Sequence, residues 1–117
     1  MHDVITIGSA TRDVFLRMEG IELRKHADSP TEVEQCFPLG SKLSIKEIVF
    51  TTGGGGTNAA VTFGRQGFKT ACVGVICNDM TGQEIIEELK KEKVEPLFQM
   101  HYDDSTAYSV ILSHPNA

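Results

Sequence analysis

The sequence has no tryptophan and few aromatic residues of any kind, 7% in all, and it carries little positive charge. Eleven Lys and Arg stand against 16 Asp and Glu, a formal net charge of −5 in 117 residues. Without a basic block or an aromatic platform on which bases could stack, nucleic acid is set aside as a main partner. Long apolar runs are missing too, and none approaches the roughly 20 residues that a membrane span needs. Met1-His2-Asp3 leads straight into a short strand-like segment, which is not the pattern of a signal peptide. Cysteine is scarce: Cys36, Cys72 and Cys77 make no CxxC pair, and an odd number argues against a complete disulfide framework. Cys72 and Cys77 bracket an apolar strand and read as reduced, mostly buried thiols, so a cytoplasmic protein is expected. His2, His26, His101 and His114 are scattered without metal-ligand spacing, and no nucleophile-elbow context supports hydrolysis.

What is present in excess is glycine at one place. Thr51-Thr52-Gly53-Gly54-Gly55-Gly56-Thr57-Asn58-Ala59-Ala60 removes every side chain from four consecutive positions just before a helix-forming stretch. Ile45, Ile48, Val49 and Phe50 upstream read as a strand. A strand, a bare turn and a helix start let a ligand approach the backbone closely, and the unpaired N–H groups of a first helical turn are free to donate to its oxygens. Asn58 adds a neutral donor and acceptor suited to hydroxyl groups. A Walker A loop needs a lysine that this run lacks. A GxGxxA dinucleotide fingerprint fits poorly, because Val75-Ile76-Cys77 stands where an acidic residue would close the next strand. The bland alternative is a turn that merely lets the helix pack tightly on a sheet.

The length suits one ordinary domain. Val4–Ile7 with Gly8-Ser9 reads as a buried strand and turn, and Val14, Phe15, Leu16 and Met18 as a second extended piece. Residues 19–38 are expected to hold a loop and an exposed edge strand, and residues 39–52 strand structure with a turn near Gly40-Ser41. A helix is predicted from Thr57 to about Gln66, with Ala60, Val61 and Phe63 inward and Gly67 as its C-terminal cap. Thr70–Ile76 is the best buried strand. A second helix follows, with a capping box at Thr81-Gly82-Gln83-Glu84, an apolar stripe of Ile85, Ile86 and Leu89, and Glu87 to Glu95 on a wet face. Asp79 reads as a helix N-terminal residue. Residues 97–101 and 106–113 read as strands joined by a hairpin turn at Asp103-Asp104-Ser105. His114-Pro115-Asn116-Ala117 reads as a turn toward a further strand, so the chain is expected to be the truncated N-terminal part of something larger.

Gly53-Gly54-x-Gly56-x-Asn58-x-Ala60 resembles the GGxGxNxA signature of the ribokinase-like (PfkB) carbohydrate kinases. Val4-Ile5-Thr6-Ile7-Gly8 followed by Asp13 resembles the family's opening strand and sugar-binding aspartate. Asn78-Asp79-x-x-Gly82 resembles its GxDxxG turn, with Cys77 in place of the first glycine, and Asp104-Ser105-Thr106-Ala107 resembles the entry to a lid strand. The resemblance implies an α/β fold: the N-terminal part of a Rossmann-like ribokinase core over residues 1–117, with a small β-sheet lid from segments about 11–50 and 97–113. It implies that Asp13, Gly53, Gly54, Gly55, Gly56 and Asn58 bind the substrate, the glycines through backbone amides and the other two through side chains. It also implies that the whole protein transfers the γ-phosphoryl of ATP, with Mg, to a hydroxyl of a sugar. The family's DTxGAGD-type motif, with the catalytic base and most of the ATP and metal sites, is not in this sequence. No catalytic residue or metal ligand is therefore assigned, and this part alone is expected to be inactive. A nucleoside kinase is the alternative within the family, and a non-catalytic homodimer paired through lid strands is the alternative outside it.

Overall fold

The computed structural model describes residues 1–114; the turn expected at His114–Ala117 lies mostly outside them. Among the described residues, eight strands and two helices follow in the order β1 (Val4–Ile7), β2 (Thr11–Met18), β3 (Glu22–Lys25), β4 (Val33–Cys36), β5 (Ile45–Gly53), α1 (Gly55–Arg65), β6 (Thr70–Cys77), α2 (Met80–Lys91), β7 (Val94–His101) and β8 (Tyr108–Ser113). The chain divides into two compact units, Met1–Asp13 with Phe50–Ser109, and Val14–Val49 with the segment from Val110 onward.

The first unit is an α/β layer. Its sheet has the order β1-β6-β7 and is parallel throughout, with Ile7 opposite Val73 and Val73 opposite Leu97. Parallel neighbours need a crossover, and α2 supplies one between β6 and β7. Both helices pack on the sheet, α1 against β1 and β6 and α2 against β7. Ala10, Ala60, Cys72, Ile76, Ile85, Leu89 and Val94 form the core between them, with Val61, Ile86, Phe98 and Met100 at its margin. Ile85 and Leu89 are one turn apart on α2, which puts both on its buried stripe. Burying each stabilises the helix by roughly 1.5–3 kcal/mol.

Segment 19–38 folds as a hairpin of two short strands, β3 and β4, antiparallel with Glu22 opposite Cys36, and not as a loop with one edge strand. β3 has no buried residue. Residues 39–44 are not strand; only β5 from Ile45 is. A second three-stranded sheet runs β5-β2-β8.

Several predicted boundaries move, each for a local reason. Helix α1 begins at Gly55, on the glycines themselves, because another residue caps it. Gly67 does take the positive φ (93°) expected just past its end. Helix α2 is capped by Asp79, not by a box starting at Thr81: the Asp79 carboxylate accepts from Gly82 N at 2.7 Å. Residues Asp103-Asp104-Ser105 do not close a hairpin. β7 belongs to the parallel sheet and β8 pairs beside β2, so the second segment read as lid from about 97 begins with a strand of the α/β layer. Glu88 leaves the wet face to bond Arg12, whose side chain is largely buried, whereas Glu92 pairs with Arg65 at the surface.

Candidate substrate site at the glycine turn

The turn between β1 and β2 and the start of α1 meet backbone against backbone. A Cβ on Gly56 would lie 2.8 to 2.9 Å from main-chain atoms of Gly8, and no real side chain tolerates that. Gly54, at the N-cap, adopts φ 103°, a conformation open to glycine and costly for any other residue. The glycine run is thus partly what the bland reading required, a turn that lets a helix sit on a sheet.

Of the amides expected to be free, those of Gly55 and Gly56 are already bonded. Ser9 caps α1: its hydroxyl accepts from Gly55 N at 2.9 Å, and its carbonyl accepts from Gly56 N at 3.1 Å and Thr57 N at 3.4 Å. Asn58 N already bonds Gly54 O within the helix. The Thr57 hydroxyl donates to Gly53 O at 2.5 Å, and the Thr6 hydroxyl to Gly56 O at 2.9 Å, which pin the turn from below. Gly55 and Gly56 therefore shape the site here and offer it no unpaired amide. Sequence reasoning saw Ser9 only as a turn residue. Its capping role needed the fold that brings residue 9 to residue 55.

Asp13 does come to the glycines. It is half-buried at the β2 end of the turn, and its Oδ1 accepts from the Thr11 hydroxyl at 2.9 Å. A side chain on Gly53 would collide with the Asp13 carboxylate. Gly53 thus leaves the space in which that carboxylate sits. Asn58 is exposed on the first turn of α1 and lines a cavity of about 320 Å³ with Thr52, Thr57, Thr62, Arg65 and Glu88. Neither Asp13 nor the four glycines line that cavity, so Asn58 and Asp13 flank the turn without sharing one enclosed pocket.

Asp79 holds the other end of β6. Its carboxylate accepts from Thr106 N at 2.8 Å, the Thr106 hydroxyl at 2.7 Å and Gly82 N, and these bonds hold its pKa below the ordinary carboxylate value, the Thr106 amide contributing most. Thr106 is buried, and its Oγ1 also accepts from Cys77 N at 2.9 Å. The next residue, Ala107, accepts from Arg12 N at 2.9 Å, one residue before Asp13. Asp79 is a structural clamp, as its helix-start position suggested. Burial pushes the Cys72 and Cys77 thiols up, and both stay free, as does Cys36. Among the described residues no three His, Cys, Asp or Glu side chains gather as a metal site.

Solved structures similar to this chain share its fold. A carbohydrate kinase from Agrobacterium tumefaciens matches with a TM-score of 0.74 and 21% identity over 100% of this chain and 33% of its own. The ribokinase of Giardia lamblia matches at 0.73 and 18%, over 100% and 34%. A ribokinase from Cryptococcus neoformans, solved with ADP, matches at 0.65 and 24%, over 97% and 31%. This chain spans about a third of the length of each of them. Comparison with curated proteins gave no match. The fold is therefore that of the ribokinase-like α/β proteins. The family model for pfkB family carbohydrate kinases matches residues 1–116, and the chain belongs to that family.

Proposed function

We propose that this chain is the sugar-binding part of an ATP-dependent carbohydrate kinase. The observation that carries the reading is the Asp13 carboxylate, lodged against Gly53 where only a glycine leaves it room. An ionised carboxylate on a bare backbone turn accepts from substrate hydroxyls, and an acceptor held in place this way discriminates against analogues lacking the hydroxyl. Asn58 reaches a further hydroxyl from the start of α1. Gly53 leaves room for that carboxylate, and Gly54, Gly55 and Gly56 keep side chains off the turn where the substrate approaches. ATP supplies the phosphoryl group, with Mg neutralising its phosphate charge, and this chain holds the acceptor. In this reading the β3–β4 hairpin and the β5-β2-β8 sheet supply the lid strands. With all three cysteines free, we place the protein in the cytoplasm.

The test is a panel of sugars and nucleosides incubated with ATP and magnesium and the protein that carries this chain. Phosphorylation of a sugar is expected, with adenosine and other nucleosides as the competing outcome. Failure to phosphorylate any of them would overturn the kinase reading. Asp13→Ala is expected to raise KM steeply or abolish turnover with the fold intact; unchanged kinetics would remove Asp13 from the site. A second reading, self-association through outlying strands, draws on the exposed apolar residues Phe15, Ile45, Ile48 and Val49. Sedimentation as a dimer that Ile48→Lys returns to monomer would support it, and a monomer at all concentrations would end it.

A further inference from the structure

One carboxylate of α2 grips both strands a single residue short of the Asp13–Gly53 pair. Glu88 Oε2 accepts from Arg12 Nη1 at 2.8 Å and from the Thr52 hydroxyl at 2.8 Å, and its Oε1 accepts from Thr52 N at 3.4 Å. Arg12 precedes Asp13 on β2, and Thr52 precedes Gly53 on β5. Successive strand residues point to opposite faces, so the grip on Arg12 leaves Asp13 directed away from α2.

Arg12 is itself closely held. Its side chain is only 12% exposed, its Nε lies 3.2 Å from Glu84 Oε2, and its guanidinium carbon sits 5.8 Å from the Phe50 ring centroid. That Nε makes no directed hydrogen bond, so Glu84 holds it by charge and Glu88 by geometry. An exposed ion pair contributes little to a fold. This one is different in place and in connectivity: it is half-sunk, and it ties three elements where two of them form the site.

We infer that Glu88 is a positioning residue, which sets the separation of Asp13 from Gly53 and so the fit of a substrate hydroxyl, without touching substrate. The inference rests on reading Asp13 as the hydroxyl acceptor. A purely structural Glu88 would hold α2 to the strands and leave the pair unaffected.

Two substitutions separate the arms. Glu88→Gln keeps an acceptor for Thr52 and weakens the charge-assisted bond that orients Arg12, while Thr52→Val removes only the hydroxyl bond to strand β5. Both are made in the protein that carries this chain. Kinetics are measured with D-ribose, D-fructose and adenosine as probes, beside the thermal midpoint. In ¹³C,¹⁵N-labelled protein the Asp13 carboxyl and Gly53 amide resonances are followed. For Glu88→Gln the expected result is KM raised about tenfold or more with kcat within about threefold, the signature of lost positioning in the bound state. Both resonances should move. Thr52→Val should move the Gly53 resonance and raise KM to a lesser degree. A lowered thermal midpoint with KM and both resonances unchanged would overturn the inference. If the unaltered protein phosphorylates none of the probes, the kinase reading fails by itself, and the two resonances still decide whether Glu88 sets the pair.

Discussion

Two glycines of the same run do different work, and single substitutions should separate them. An alanine Cβ at position 53 runs into the Asp13 carboxylate and lies 3.0 Å from the Thr11 hydroxyl, which are side-chain groups that can swing aside. At position 56 the obstacle is the Gly8 main chain at 2.8 to 2.9 Å, which cannot. Gly53→Ala should therefore leave the thermal midpoint nearly unchanged and raise KM about tenfold, as displaced hydroxyl acceptors do. Gly56→Ala should lower stability by about 1–3 kcal/mol, the range for overpacking a tight contact. Thermal melts and kinetics on the two variants check both, and equal stability losses would erase the distinction. The run was visible in the sequence as a unit. Its division of labour was not, since it depends on which atoms each missing Cβ would meet.

Helix α2 depends on a cap and a stripe, and the two should respond to different variables. Leu89 is 1% exposed, and Leu89→Ala should cost about 2–5 kcal/mol, measured by urea unfolding, at any pH where the protein folds. Asp79→Ala should cost about 1 kcal/mol through the lost cap. The cap also carries a pH signature. Because the bonds from Thr106 and Gly82 depress the folded pKa of Asp79, its contribution is complete above the unfolded value of about 3.9. It is lost as pH falls through that value toward the lower folded one. Asp79→Asn should thus differ most from the unaltered protein near neutrality, and the gap in thermal midpoint should close in acid. A gap of constant size would contradict the assignment. The stripe of Ile85, Ile86 and Leu89 was legible because helical periodicity is local. The cap was misplaced by two residues because the Thr81-to-Glu84 spacing imitates a box, while Asp79 finds its partner Thr106 27 residues away.

Across the whole molecule, burial is uneven. β6 holds five buried residues, whereas β3 has none and β4 none beyond half-buried. Hydrogen exchange should open the β3–β4 hairpin at a much lower free energy than β6, which should exchange only on global unfolding. Equal protection of hairpin and sheet would refute this ordering.

Read by itself, the sequence determined the α/β class, the buried strand at Thr70, the second helix, the free thiols and a glycine turn whose spacing with Asp13 resembles a kinase family. Each of these rests on patterns only a few residues long, or on a motif in which order is the information. Tertiary structure alone decided that Ser9 consumes the helix-start amides, that β7 and β8 part into different sheets, and that Glu88 faces Arg12 and Thr52. Those outcomes join residues 36 to 76 positions apart, and which distant donor meets which acceptor is settled only when the chain closes on itself.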